Sequence, residues 1–167
     1  MDQTTGRFEC AAEVCIPTHT KHLGGRAGII LGDHGSGEKG LAIEFHAKGQ
    51  LRFYWNGGEV DVYGTTDIRD GNWHTVEVVR TPEAITLRVD GKEEATGKGG
   101  SGMTVCSQGT WVGHDWREGG MAFRGEIRRM EVNGVILVDP VSVCGNCGAR
   151  QTFRRQTCAS LQCVGLY

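Results

Sequence analysis

Apolar and polar residues alternate with period two along most of this chain, and helical periodicity never persists beyond a turn or two. Phe8, Cys10, Ala12, Val14 and Ile16 fall on one side of a first segment, with Glu9 and Glu13 among the residues between them. Ala27-Gly28-Ile29-Ile30-Leu31 is a short continuous apolar run, the pattern of a buried strand, and it ends in the loop Gly32-Asp33-His34-Gly35-Ser36-Gly37. Leu41, Ile43, Phe45 and Ala47 then point one way, opposite Glu44 and His46. After a Lys48-Gly49 turn, Leu51, Phe53 and Trp55 extend that apolar face, opposite Arg52 and Tyr54. Asn56-Gly57-Gly58 leads to Val60 and Val62. Asp70-Gly71-Asn72 leads to a strand with His74, Val76 and Val78 on one face. Thr81-Pro82-Glu83 and Asp90-Gly91 bracket Ile85, Leu87 and Val89, and Asn133-Gly134 joins a strand within Phe123 to Val132 to Val135–Val138. Roughly a dozen short strands with turn signals every 8–12 residues predict an all-β, two-sheet antiparallel sandwich.

Composition fits that picture. Glycine supplies 27 of the 167 residues, more than twice the usual share of roughly 7%, without a collagen period, as many tight turns require. Gly97-Lys98-Gly99-Gly100-Ser101-Gly102 matches G-x-G-x-x-G by letter, but no helical pattern follows it. It reads as a surface connector. Eighteen Lys+Arg against twenty Asp+Glu leave a net charge of −2, which excludes the basic excess of a nucleic-acid binder. No apolar run is long enough to insert in a membrane. The first residues lack the basic and apolar regions of a secretory leader. On that evidence the chain is cytosolic, or its leader has been removed, or it begins inside a longer chain.

Seven cysteines occur, Cys10, Cys15, Cys106, Cys144, Cys147, Cys158 and Cys163, the last four crowded near the end. Two readings are open. Three disulfides with one leftover thiol imply an oxidising compartment. Alternatively, Cys144, Cys147, Cys158 and Cys163 have the spacing of a four-thiolate zinc site. Neighbouring positions make Cys10 and Cys15 a candidate local clamp, although alternation sends them to opposite faces. Cys106 is a candidate tether for the tail.

Three segments, in order, resemble laminin G-like domains: Ala27 to Asn56, the run Asp70-Gly71-Asn72-Trp73-His74-Thr75-Val76-Glu77-Val78 followed by Leu87-Arg88-Val89-Asp90-Gly91, and Phe123-Arg124-Gly125-Glu126-Ile127-Arg128 through Asn133-Gly134. The resemblance covers residues 8–138 and implies a jelly roll of the concanavalin A-like kind, with Trp73 packed structurally at a strand start. It also implies an extracellular, non-catalytic role in recognition or adhesion. More weakly, Cys144 to Cys158, with Arg150, Arg154 and Arg155 between cysteines, resembles the core of a thrombospondin type-1 repeat, although no Trp precedes it. The expected organisation is a sandwich over residues 7–140 and a short cysteine-rich extension over 141–167, a truncated repeat. Both resemblances point outside the cell and favour disulfides over zinc.

Candidate chemistry follows. The family resemblance implies one Ca2+ at a loop rim, held by hard oxygen ligands, with Asp33 and Asp115 as candidates beside His34 and His114. If the apolar side of the 41–56 hairpin faces the core, Glu44, His46, Arg52, Tyr54 and Asn56 share the other side, with the aromatic, amide and charged groups a sugar site needs. Trp116, on a glycine-flanked loop, is a second aromatic platform. The remote alternative is a glycoside hydrolase using Glu126 and Glu131, which alternation sends to opposite faces unless a bulge intervenes. The expected partner is a glycan or an extracellular protein. The competing expectation is a structural module of a matrix or filament assembly with no soluble ligand.

Overall fold

The computed structural model describes residues 6–18, 26–32, 40–100, 111–113 and 123–138. Eleven strands are described: β1 Phe8–Cys15, β2 Arg26–Gly32, β3 Leu41–His46, β4 Leu51–Trp55, β5 Val60–Tyr63, β6 Trp73–Arg80, β7 Ala84–Val89, β8 Lys92–Lys98, β9 Trp111–Val112, β10 Glu126–Val132 and β11 Val135–Val138. They form a six-stranded sheet in the order β11-β10-β1-β6-β7-β8 and a five-stranded sheet in the order β5-β4-β3-β2-β9. All the pairings are antiparallel. This is the expected two-sheet sandwich.

Period-two burial drives the assembly. Phe8, Cys10, Ala12, Val14 and Ile16 are buried in alternation along β1 and just beyond it, where they meet Ile43, Phe45, Leu51, Phe53 and Trp55 from the opposite sheet. Phe8, Phe53 and Trp55 form an aromatic centre with ring centroids 6.0–6.2 Å apart, and Phe45 meets Phe123 at 5.8 Å. Offset and tilted rings at such distances add attraction beyond their buried area. The hairpin turns have the left-handed backbone that their Asx-Gly pairs allow: φ is 52° and 75° at Asp90-Gly91, and 49° and 79° at Asn133-Gly134.

Three expectations need correction. Cys10 and Cys15 both carry free thiols, so the local clamp does not form. Cys10 points into the core, where burial raises its pKa to about 12, while Cys15 points outward and its thiol donates to the Gly71 carbonyl at 3.2 Å. The glycine stretch after residue 96 is not a loose connector at its start: β8 runs through Lys98, and Gly99 is buried. The carbonyls of Gly99 and Gly100, with that of Gly6, accept the three hydrogen bonds of the buried Arg80 guanidinium at 2.6–2.7 Å. A Cβ on Gly99 would lie 1.9 Å from the Thr81 carbonyl oxygen, so only glycine lets the chain approach this closely. Trp73 is 38% exposed, on the outer face of its sheet, with the Arg128 guanidinium 4.6 Å from its ring centroid. Cys106, Cys144, Cys147, Cys158 and Cys163, and with them the extension over 141–167, lie outside the described residues.

Candidate functional site

The outer face of the five-stranded sheet gathers most of the residues expected there. With Leu41, Ile43 and Phe45 turned inward, β3 presents Ala42, Glu44 and His46 on its other side, and β4 likewise presents Arg52 and Tyr54. Register sets Glu44 opposite Arg52, and Arg52 opposite Tyr63 of β5; Tyr54 stands opposite Asp61. Asp61 is therefore diagonal to Arg52, within reach of a long side chain. Arg52 donates from Nε to Asp61 Oδ1 at 2.6 Å and from Nη2 to Oδ2 at 2.8 Å, a two-pronged fork. Its Nη1 donates to Glu44. The tyrosine rings flank the guanidinium, with centroids 5.3 Å (Tyr54) and 5.0 Å (Tyr63) from Cζ. Burial works against the charge of Arg52, but the bonds to Asp61 and Glu44 outweigh it and raise its pKa.

The face is not uniformly open. Glu44 and Arg52 are buried, as is Ile29, which stands opposite Glu44 on β2 and lies outside the inter-sheet core cluster. Access is through β5: Tyr63 is 40% exposed and Asp61 is exposed beside it. The Tyr63 hydroxyl donates to Asp61 Oδ2 at 3.2 Å, and the His46 ring meets the Tyr63 ring edge-on at 5.4 Å. Asn56 stands apart, in the left-handed turn after β4, where its Nδ2 donates to Glu59. Asp61 and Tyr63 were not among the sequence candidates. Their signal was the Val60/Val62 alternation, which puts both on the polar side of the next strand. Trp116, Asp33, Asp115, His34 and His114 lie outside the described residues. Among the described residues no group of three or more His, Cys, Asp or Glu is placed to hold a metal ion.

A second polar cluster sits at one end of the six-stranded sheet. His74 bridges two carboxylates, with Nδ1 at 2.7 Å from Asp90 Oδ2 and Nε2 at 3.0 Å from Asp70 Oδ1. Burial lowers the His74 pKa, but the bonds and charges of Asp90 and Asp70 outweigh it and leave the value raised. The Asp70 carboxyl is held down at about 2 by bonds from the Asn72 backbone and side chain and from His74. This arrangement clasps the turn before β6 to the β7–β8 hairpin. Glu94 similarly ties β8 to the loop after β5, accepting from the backbone and hydroxyls of Thr65 and Thr66.

The backbone sets the two candidate hydrolase glutamates well apart. A register shift in the β1–β10 pairing returns Glu126 and Glu131 to one face, opposite Cys15 and Ala11 respectively. Four residues along β1 separate those partners, about 13 Å at ~3.3 Å per residue. Paired glycosidase carboxylates stand roughly 5–9.5 Å apart. Glu131 also pairs with Arg129.

Residues 18–139 match the family model of the concanavalin A-like lectin/glucanases superfamily, laminin G type. The chain belongs to this superfamily. Its matched span ends before the segment likened to a thrombospondin repeat. No curated protein matches the sequence. Among solved structures, the domain is similar to domains LG4–5 of the mouse laminin α1 chain, at 17% identity and TM-score 0.61 over 81% of this chain and 38% of that one. It is also similar to the CBM40 module of a Ruminococcus gnavus sialidase, at 13% identity and TM-score 0.61 over 81% and 80%. Domain 4 of a GH43 extracellular arabinanase from Geobacillus stearothermophilus, solved with arabinotriose, aligns at 13% identity and TM-score 0.55 over 77% and 60%. At such identities the likeness is one of fold. The chain spans less than two-fifths of the laminin structure. Among the described residues no helix of this superfamily member is long and apolar enough to cross a membrane.

Proposed function

We propose that the protein is an extracellular, non-catalytic recognition module that binds a glycan on the outer face of its five-stranded sheet. The observation that carries this is the Tyr63–Asp61 pair, an exposed aromatic ring beside an exposed carboxylate, both fixed by Arg52 and His46. A ring offers the apolar face of a sugar a flat platform, and a fixed acceptor orients its hydroxyls, the few placed polar groups that small-ligand sites use. Superfamily neighbours support the reading: the sialidase module is also solved with sialyllactose, and the arabinanase domain with arabinotriose. The extracellular placement is supported by the arabinanase, itself described as extracellular. The separation of Glu126 from Glu131 supports recognition without hydrolysis.

The test is a glycan array probed with the intact chain and with Tyr63→Ala, each with and without chelator. Binding by the parent and loss in the variant are expected. Loss on chelation would support the loop-rim Ca2+, with Asp33 and Asp115 as its proposed ligands. An array silent for the parent protein would refute the glycan reading and leave the structural-module alternative standing.

A further inference from the structure

This inference rests on the glycan reading and asks what kind of glycan the site takes. An arginine on a sugar-binding face is ordinarily the receptor for a carboxylate or sulfate, because its planar fork matches two acidic oxygens. We propose that Arg52 has the opposite role: it is locked by the protein's own carboxylates, so that the site selects neutral glycans and excludes acidic ones.

The geometry carries this in three steps. The fork of Arg52, Nε and Nη2, is occupied by both oxygens of Asp61 at 2.6 and 2.8 Å, and Nη1 is held by Glu44. Three of the five N–H donors are thereby used. The guanidinium is also shut in, since Arg52 is only 5% exposed and lies between the Tyr54 and Tyr63 rings. An incoming carboxylate could take the fork only by evicting Asp61 and placing a second negative charge beside it. Glu44, 1% exposed, would be left as an unpaired buried carboxylate if Arg52 swung out to meet an anionic ligand, because the guanidinium is its ion-pair partner.

Charge points the same way. One guanidinium and two carboxylates sum to −1, so the triad repels an anionic ligand at the point where Tyr63 gives access. What remains available is acceptor capacity. A carboxylate has about four lone-pair sites, and Asp61 spends its oxygens on Arg52 and the Tyr63 hydroxyl while its side chain stays 34% exposed. Three of those sites are taken, by Arg52 Nε, Arg52 Nη2 and the Tyr63 hydroxyl, and the remaining one is placed to accept from a hydroxyl of an uncharged sugar stacked on Tyr63. Arg52 is then a positioning residue. It holds the acceptor and steadies the ring.

The experiment uses an array of neutral oligosaccharides printed beside their sialylated and sulfated counterparts, at about pH 7 and ~0.15 M salt, with the parent chain, Asp61→Asn and Tyr63→Ala. The parent is expected to favour the neutral member of each matched pair by about tenfold or more. Asp61→Asn weakens the hold on the fork and removes a charge, so the preference should collapse or invert. Near-ultraviolet circular dichroism checks that each variant is folded. Should Asp61→Asn fail to fold, the ionic-strength dependence of the parent decides: acidic members that bind better as salt rises show the repulsion, and members that weaken with salt overturn it. A parent that prefers sialylated or sulfated members overturns the inference while the glycan site stands. Neutral binding that survives Tyr63→Ala also overturns it, because the ligand then sits elsewhere. A parent that binds no glycan refutes the site itself.

Discussion

Replacing His74 with glutamine tests whether the Asp70–His74–Asp90 clasp stabilises the fold through charge. His74 is mostly buried, but Asp70 and Asp90 are 46% and 53% exposed, so each contact belongs on the scale of solvent-screened pairs, about 0.2–1 kcal/mol. The two together amount to about 1 kcal/mol, or roughly 2–4 °C in Tm for a domain of this size. The sign with pH follows from the directions of the shifts. His74 has a folded pKa above its ordinary 6.5, so its contribution is complete below about 6.5 and is lost as pH rises through the folded value. Asp70 and Asp90 are lowered, so theirs is complete above about 4 and fades as pH falls toward about 2, the folded value of Asp70. The clasp therefore contributes most between about pH 4 and 6.5. Thermal unfolding of parent and His74→Gln, followed at about pH 5.5 and pH 8.5, isolates it, because titrations common to both proteins cancel in the difference. The Tm deficit of the variant should be largest at the lower pH, shrink by half or more at the higher, and shrink again in ~1 M salt. A deficit equal at both pH values would mean that His74 acts by packing alone.

Arg80→Met should cost about 2–4 kcal/mol in urea unfolding, because the buried Gly99 carbonyl loses a charged donor at ~1–3 kcal/mol and the part-buried carbonyls of Gly6 and Gly100 lose theirs at the low end of that range; Arg80→Lys should recover part of it, and a loss below ~1 kcal/mol in Arg80→Met would refute this role of Arg80. Gly99→Ala should destabilise by more than ~2 kcal/mol, since its Cβ would meet backbone at 1.9 Å; Gly91→Ala, with nothing within 4 Å but a φ of 75°, should cost only the left-handed strain of about 1–2 kcal/mol. Alkylation of the native protein at about pH 8 followed by peptide mass spectrometry should label Cys15 and leave Cys10 untouched until denaturant is added, since thiolate and access both decide reactivity; early labelling of Cys10 would show that β1 opens readily.

The sandwich was legible because burial on one face of a strand writes itself as alternation. Phe8 through Ile16 and Leu41 through Trp55 needed no tertiary information. Trp73 was legible by the same rule, since a face carrying His74, Val76 and Val78 puts residue 73 on the other side; the laminin G resemblance pulled the expectation inward against the pattern. Arg80 continues that inward series, but its charge concealed a core position that becomes tolerable only when Gly6, Gly99 and Gly100 supply carbonyls from distant parts of the chain. The burial of Glu44 and Arg52 was illegible for a related reason. Alternation assigns a face and says nothing about what covers it. The bulge that reunites Glu126 with Glu131 on one face depends on pairing with β1, and a single strand read alone carries no sign of it.

The near-balanced charge of the chain takes on a structural meaning through its arginines. Arg7 pairs with Glu9, Arg69 with Asp67, Arg128 with Glu13 and Arg129 with Glu131, while Arg52 holds both Glu44 and Asp61. Arg52, Arg80 and Arg128 also lie against aromatic rings, an arrangement that favours a weakly hydrated, planar cation over lysine. Cancellation thus happens pair by pair on the surface and within the faces, so these arginines build no long-range positive field to draw in a polyanion. A glycan bound as proposed within such a surface would gain its affinity from ring stacking and oriented hydroxyl hydrogen bonds. Tyr63 and Asp61 present those two elements at the open edge of the five-stranded sheet, and Arg52 is the reason they keep their places.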